Sequence, residues 1–163
     1  MNMLRDSRYG LYMGAFFVPL IVLSQAVFPS NRSDDEIGGW ILAIHLATFV
    51  YYGAAGFLGV RRSLRLWDGV RIGALTACLG TALIAATFAL VDNIFLETVS
   101  QQVDKIRGFE LHHSRYVSMR AYINWGLLEG AVFTLPVFGL IGAASGGIGG
   151  LLVSRPDSAR QEC

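Results

Sequence analysis

The feature that most constrains this chain is its last apolar run, which extends from Asn124 to Val153. The run holds about 30 residues with a single ionisable side chain, Glu129, and glycines recur toward its end. A transmembrane helix needs about 20 consecutive apolar residues, because helix rises about 1.5 Å per residue and a bilayer core is about 30 Å thick. This run is therefore long enough to cross a membrane.

Three further apolar runs have a similar character, and the charged residues are confined to the segments around them. Hydrophobic residues make up 53% and charged residues 15% of the 163 residues, whereas soluble domains average roughly 45–50% and 25%. We therefore predict an all-α fold, an integral membrane four-helix bundle that forms one domain over residues 1–163. The predicted spans are 10–28, 40–60, 70–96 and 124–153, with an outer loop at 97–123 and a cytoplasmic tail at 154–163.

The first run has a second interpretation. A basic head with Arg5 and Arg8 precedes an apolar core, and Ser24-Gln25-Ala26 resembles the small-residue cleavage site of a secretory signal. The run is long for a signal, and a residue such as Gln25 is ordinary at the end of a span. We expect a span here, with a cleaved signal as the alternative.

The long connection between the third and fourth runs has a pattern of its own. Leu96, Val99, Val103 and Ile106 recur at helical spacing with polar residues between them, which predicts a short amphipathic helix. Such a helix either extends the third span or lies on the membrane surface. We expect Gly108 to end it.

Basic residues set the predicted orientation, because cytoplasmic loops of membrane proteins are enriched in Lys and Arg. The head, the second connection and the tail together carry eight, and the first and third connections together carry five. Both termini are therefore predicted to be cytoplasmic. Arginine outnumbers lysine twelve to one in an Ala- and Gly-rich chain, which favours a GC-rich bacterium and hence the bacterial inner membrane.

Four polar side chains, one from each span, then fall at a common depth. They are Gln25, His45, Asp92 and Glu129, and counting inward from the outer span ends puts them roughly 5–8 Å below the boundary. A buried ionisable group needs a partner or water. The cluster therefore predicts either an outward-facing pocket for a proton, a cation or a cationic ligand, or hydrogen bonds that merely join the helices near the interface.

Glycines in the fourth run predict a helix-packing face. Gly126 and Gly130 are four residues apart, and Gly142, Gly146 and Gly150 repeat the same spacing. Small residues let helix backbones approach closely in a bilayer, where the hydrophobic effect does not drive helix association. The face predicts either a contact with another span of the same chain or a homodimer seam through the fourth span.

Other chemistry has no signature in the sequence. His112 and His113 are adjacent, so their side chains point apart and do not supply the three or four converging ligands of a metal site. The glycine-rich stretch 146–150 lacks the preceding strand that a nucleotide-binding loop requires. We predict no metal site, no cofactor, no nucleic-acid partner and no enzymatic activity.

Two stretches resemble a known family. The first is 57–73, a short basic loop leading into a glycine-initiated span, with Arg61-Arg62, Asp68-Gly69 and Gly73. The second is 92–106, where the third span continues into a helix with Glu97, Gln101-Gln102 and Lys105. Over about half its length the chain resembles four-span bacterial membrane proteins of the domain-of-unknown-function 4199 type. The resemblance implies an integral membrane protein and carries no catalytic residues. Small multidrug transporters are also four-span but shorter, with an essential glutamate in the first span, where this chain has no carboxylate.

These observations predict a non-enzymatic scaffold or accessory subunit of the membrane. Its partners would be the lipid bilayer and a second copy or another membrane protein, bound through the fourth span or the outer loop. The alternative is a proton- or cation-coupled transporter or channel subunit that uses Glu129, together with Asp92 and His45, as its ion-binding group.

Overall fold

A computed structural model describes residues 3–27 and 34–154 of the chain. Its elements are α1 (Met3–Val22), a π turn (Leu23–Val27), α2 (Asp34–Ser63), α3 (Leu66–Ile94), α4 (Leu96–Val99), α5 (Val103–His112) and α6 (Met119–Ser154). Within the described residues every element is helical, and four of them, α1, α2, α3 and α6, are long and apolar enough to cross a membrane. The all-α prediction is confirmed. Residues 29–33 of the predicted first connection and the tail from residue 155 lie outside the described residues.

The last helix begins five residues before the predicted fourth span. The Ser118 hydroxyl accepts a hydrogen bond from the backbone N–H of Ala121 at 3.2 Å, which is the usual capping arrangement at a helix N-terminus. Apolar patterning cannot locate this start, because the first turn of α6 carries Arg120 and Tyr122. The helix therefore starts in the polar connection rather than at the edge of the apolar run.

Helix α3 is the centre of the bundle. It packs against α1, α2 and α6, while α6 also packs against α2, and α1 packs closely against α3 alone among the long helices. A small buried core of Met13, Tyr52 and Ala77 joins α1, α2 and α3. This arrangement leaves α1 and α2 as neighbours that touch little.

The two ends of the bundle differ. At one end α2 and α3 are joined by the short turn of Leu64 and Arg65, which follows Arg61 and Arg62, and we call it the arginine end. Leu64 has a positive φ of 57°, a conformation that costs a side chain other than glycine roughly 1–2 kcal/mol. At the other end lie α4, α5 and the segment that leads to α6, and we call it the loop end.

The predicted amphipathic helix of the loop forms in two pieces, because residues 100–102 interrupt it between α4 and α5, and Gly108 does not end it. Helix α5 continues to His112, so that prediction is wrong. A Cβ atom at position 108 would fall on the hydroxyl group of Tyr122 in α6. The glycine therefore allows α5 to lie against the Tyr122 side chain. Phe109 also contacts Tyr122, and the centroids of their two rings are 5.9 Å apart.

Candidate functional site

The predicted glycine face of α6 divides into two parts with opposite environments. Gly142 and Gly146 are buried against Gly73 of α3, and Gly150 lies against Val60 at the end of α2. These three glycines therefore pack within one chain, in a seam that we call the glycine seam. In contrast, a Cβ atom on either of the other two glycines would meet nothing within 4 Å; they are Gly126 and Gly130.

Polar side chains join the helices at the loop end. The side-chain amide of Asn93 in α3 donates to the Asn124 carbonyl oxygen of α6 at 2.6 Å, and Asn124 donates back to Asn93 at 3.3 Å. The Gln102 amide donates to the carbonyl oxygen of Gln25 at 2.9 Å, which ties the loop to the π turn. Gln25 therefore lies at the predicted end of the bundle with a loop residue as its partner.

Asp92 is the most deeply buried charge in the described chain. Its side chain is 1% exposed, and its Oδ2 atom lies 3.9 Å from the Nζ atom of Lys105 in α5. The other carboxylate oxygen, Oδ1, has no hydrogen-bond partner among the described residues. The ion pair holds α5 near the end of α3. If α5 moved away, the buried carboxylate would lose its counter-charge, and an unpaired buried charge costs much more free energy than a paired one.

Glu129 has a different position from the one expected of an interior ion-binding group. Its Oε1 atom accepts hydrogen bonds from the Arg115 guanidinium at 3.0 Å and from the Trp125 indole N–H at 2.8 Å. The Glu129 and Arg115 side chains are 45% and 60% exposed. Since Trp125 and Glu129 are four residues apart, they share a face of α6, and this face is the outer one.

His45 lies among aromatic side chains rather than among these loop contacts. Its ring lies with its centroid 5.7 Å from that of Phe138 in α6 and 6.5 Å from that of Phe49. The four predicted residues thus lie in four environments. Gln25, Asp92 and Glu129 each have a partner in the loop or on their own helix, and His45 packs among aromatic rings between the helices.

The space that His45 borders is a cavity of about 670 Å³ between α1, α2, α3 and α6, which we call the interhelical cavity. Small-molecule sites in proteins range from roughly 300 to 1,000 Å³. The lining is mostly apolar and aromatic, and among the described residues no Asp, Glu, Lys or Arg lines it. Its polar side chains are Ser24, His45, Thr48, Tyr52, Thr81 and Thr134.

Two of these polar groups are satisfied by their own helices. The Thr48 hydroxyl donates to the Ile44 carbonyl at 2.7 Å, and the Ser24 hydroxyl donates to the Ile21 carbonyl at 3.1 Å. Tyr52 differs: its side chain is fully buried, and its hydroxyl has no hydrogen-bond partner among the described residues. The Thr81 side chain of α3 interacts with this phenol.

Tyr52 is not among the predicted site residues, although the spacing of residues in α2 contains the signal. His45, Thr48 and Tyr52 stand at i, i+3 and i+7, which places all three on one face of a helix. In α6, Gly126, Gly130, Thr134 and Phe138 follow at intervals of four and line the same cavity. A row of polar residues along one face of an apolar helix thus predicts that this face lines an interior cavity.

The described residues contain no group of three or more His, Cys, Asp or Glu side chains placed to hold a metal ion. His112 and His113 are exposed, and their Nδ1 atoms lie 2.9 and 2.8 Å from the backbone carbonyls of Gly108 and Glu110. The His112 ring also stacks near Tyr122, with centroids 6.5 Å apart. Both histidines are thus part of the local structure of α5.

Comparisons with known proteins give no match: no family model matches the chain, and neither a curated protein nor a solved structure matches it.

Proposed function

We propose that the protein is a non-enzymatic accessory protein of the bacterial inner membrane that holds a small lipophilic molecule between its helices. The observation that carries the proposal is the interhelical cavity. All four long helices line it, its volume of about 670 Å³ suits a small molecule, and its walls are mostly apolar. Such walls favour a ligand that is dissolved in lipid rather than in water.

Insertion in a membrane is supported by where the apolar surface lies. In the apolar 18-residue window of each candidate span, at most 28% of the residues are buried inside the chain, and in the window of α6 the fraction is 6%. A soluble protein does not expose apolar surface on this scale without a partner. Hydrocarbon is the solvent that fits such helices, and the glycine seam supplies the close backbone contact that holds helices together there.

The orientation with both termini in the cytoplasm is part of the proposal. Arg61, Arg62 and Arg65 lie together at the arginine end, which is where short cytoplasmic loops concentrate positive charge. The loop end then faces outward. Its basic residues are partly neutralised within the fold, since Lys105 pairs with Asp92 and Arg115 pairs with Glu129.

An accessory role would also need a contact for another membrane protein, and we place it at the loop end. Leu111 is 73% exposed and Val117 is fully exposed, beyond the end of the neighbouring spans. A photo-crosslinking residue at Val117, used in native membranes, should form a defined adduct of higher mass. The same residue at Leu64, also exposed but at the arginine end, is the control and should not form it.

The cavity is tested with a medium-chain alkane that carries a photoreactive diazirine. Irradiation in nanodiscs should label residues that line the cavity, and excess unlabelled alkane should prevent the labelling. Gly130→Phe should abolish it, because the new ring projects into space that is open now. Leu128→Phe is the matched control, since Leu128 is 53% exposed on the outer face of α6. Equal labelling of the two variants would contradict the proposal.

A second candidate function, ion-coupled transport, is favoured by Asp92 rather than by Glu129. Asp92 is buried with one oxygen unpartnered, and it stands four residues beyond Phe88, which lines the cavity. Residues four apart share a helix face, so Asp92 lies toward the loop end of the cavity. Glu129, on the outer face, does not line the cavity.

A further inference from the structure

A second hollow lies on the outside of the bundle, between α2 and α6. Its volume is about 520 Å³, and none of its described lining residues also lines the interhelical cavity. At its floor the two helices are in backbone contact, since a Cβ atom on Gly149 would fall on the carbonyl oxygen of Gly53. Val50 and Ile148 line this hollow and are exposed. The hollow, which we call the α2–α6 groove, is therefore open to whatever surrounds the bundle, and in a membrane that is lipid.

The α2–α6 groove leads to the arginine end. Val50, Ala54 and Phe57 line it from α2, and Arg61 follows Phe57 by four residues. Residues at i, i+4, i+7 and i+11 share one face of a helix, so Arg61 stands in line with the groove, roughly 16 Å beyond Val50 along the helix axis. Its side chain is exposed. An apolar surface that ends in a cation matches a molecule with an apolar chain and an anionic head.

We propose that the α2–α6 groove binds an anionic phospholipid, with an acyl chain in the groove and the phosphate group on Arg61. This site goes beyond the proposed function, because it lies on a different surface from the interhelical cavity. It holds whether or not that cavity contains a molecule, and it requires only that the protein is inserted in a bilayer.

The positive charge of the arginine end explains why the lipid is anionic. Four exposed arginines lie there; they are Arg61, Arg62, Arg65 and Arg71. Among the described residues both ion pairs lie at the loop end, and the carboxylate of Asp68, at the start of α3, is buried. A guanidinium group binds phosphate through two parallel hydrogen bonds. A zwitterionic headgroup carries a cation of its own and therefore gains less from these arginines.

The side chains around the arginines indicate that they lie at the level of the lipid phosphates. Trp67 is 76% exposed at the beginning of α3, and Leu64 and Leu66 beside it are exposed as well. Tryptophan is enriched at the boundary between hydrocarbon and water, because its ring is apolar and its N–H group is polar. Exposed apolar side chains and arginines in one turn fit this boundary, where a phosphate group meets its acyl chains.

The experiment uses two phospholipids that carry the same diazirine-bearing acyl chain, one with a phosphatidylglycerol head and one with a phosphatidylcholine head. Each is added to phosphatidylcholine nanodiscs that contain the full-length protein, and labelled residues are located by peptide mass spectrometry. The anionic probe should label the lining of the groove at roughly five- to tenfold lower probe fraction than the zwitterionic one. Arg61→Gln should reduce this advantage about fivefold, the effect of one basic residue near an anionic membrane surface.

Arg71→Gln is the matched control for charge. It removes the same charge at the same end of the bundle, but Arg71 stands two residues before Gly73, which faces α6. Residues two apart point to nearly opposite sides of a helix, so Arg71 points away from the groove. This variant should keep the advantage of the anionic probe.

A second pair of variants tests the groove itself. Ala54→Phe should prevent labelling of the groove by both probes, because its ring occupies the space between the helices. Leu58→Phe is the matched control, since Leu58 is exposed on α2 but does not line the groove. Thermal unfolding close to that of the native protein shows that each variant is folded.

Four outcomes would overturn the assignment. The first is equal labelling of the native groove by the two probes, and the second is an equal loss of preference in Arg61→Gln and Arg71→Gln, which would indicate general attraction of anionic lipid. The third is unchanged labelling in Ala54→Phe. The fourth is a nanodisc that holds two copies of the protein with an unlabelled groove, which would show that a second copy covers this face. None of these results bears on the interhelical cavity.

Discussion

Gly73 of α3 and Gly146 of α6 are in backbone contact: a Cβ atom built on Gly73 would stand 2.8 Å from the Cα atom of Gly146. No side chain fits between the two helices at this point. The glycine seam therefore fixes how closely α3 and α6 approach in the half of the bundle nearest the arginine end. Toward the loop end the same helix has Gly126 and Gly130, which face open space instead. Glycines thus allow close helix contact in one half of the bundle and leave open space beside α6 in the other half.

This contrast predicts opposite effects for one substitution at two glycines. Gly146→Ala should destabilise the protein by roughly 1–3 kcal/mol, because its methyl group collides with the backbone of α3 and the helices must separate. Gly126→Ala should be neutral or stabilising by up to about 1 kcal/mol, because alanine favours helix and the space is open. Thermal unfolding in detergent, followed by circular dichroism, measures both; a loss at position 126 equal to that at 146 would contradict the assignment.

Much of the fold could be predicted from the sequence, because a bilayer imposes a simple requirement on length and composition. The four apolar runs follow from that requirement, and the helical character of the connection after Leu96 follows from periodicity, which did not predict the break at residues 100–102. What periodicity could not give was the role of Gly108. A glycine in the sequence suggests the end of a helix, whereas the neighbouring Tyr122 hydroxyl, which leaves no room for a Cβ atom, explains why a glycine stands inside α5.

The candidate site was predicted less well, for a geometric reason. Counting residues from a membrane boundary gives depth, and Gln25, Asp92 and Glu129 do lie toward the loop end. Depth does not say which way a side chain points around its helix. Glu129 points outward to Arg115, whereas His45 borders the cavity. The direction depends on which helices are neighbours, and an unaligned sequence does not contain that information.

The buried pair of Asp92 and Lys105 predicts a non-additive pair of substitutions. Lys105→Ala should destabilise the protein by about 1–2 kcal/mol, less than for a fully buried pair because Lys105 is 29% exposed and the atoms are 3.9 Å apart. Adding Asp92→Asn should recover most of that loss, because the unpaired charge is removed. A double-mutant cycle by thermal unfolding checks this; additive effects would mean that the pair does not interact.

Glu129→Gln should change stability by less than about 1 kcal/mol, because the pair with Arg115 is exposed and such pairs contribute little. It also tests the transport alternative against the structure. Uptake of protons or cations into proteoliposomes, if the protein has this activity, should survive Glu129→Gln and be lost with Asp92→Asn. Loss with Glu129→Gln alone would return the ion-binding role to Glu129.

The proposed orientation predicts which end of the bundle a membrane-impermeant thiol reagent can reach. Single cysteines at Val117 and at Arg61 are introduced into a variant in which Cys78 and Cys163 are replaced by serine. Both positions are exposed on the folded chain, so accessibility depends only on the side of the membrane. In spheroplasts, the reagent should label the cysteine at Val117 and leave the one at Arg61 unlabelled, and permeabilisation should make both reactive. The reverse pattern would put the arginine end outside and would contradict the proposed orientation.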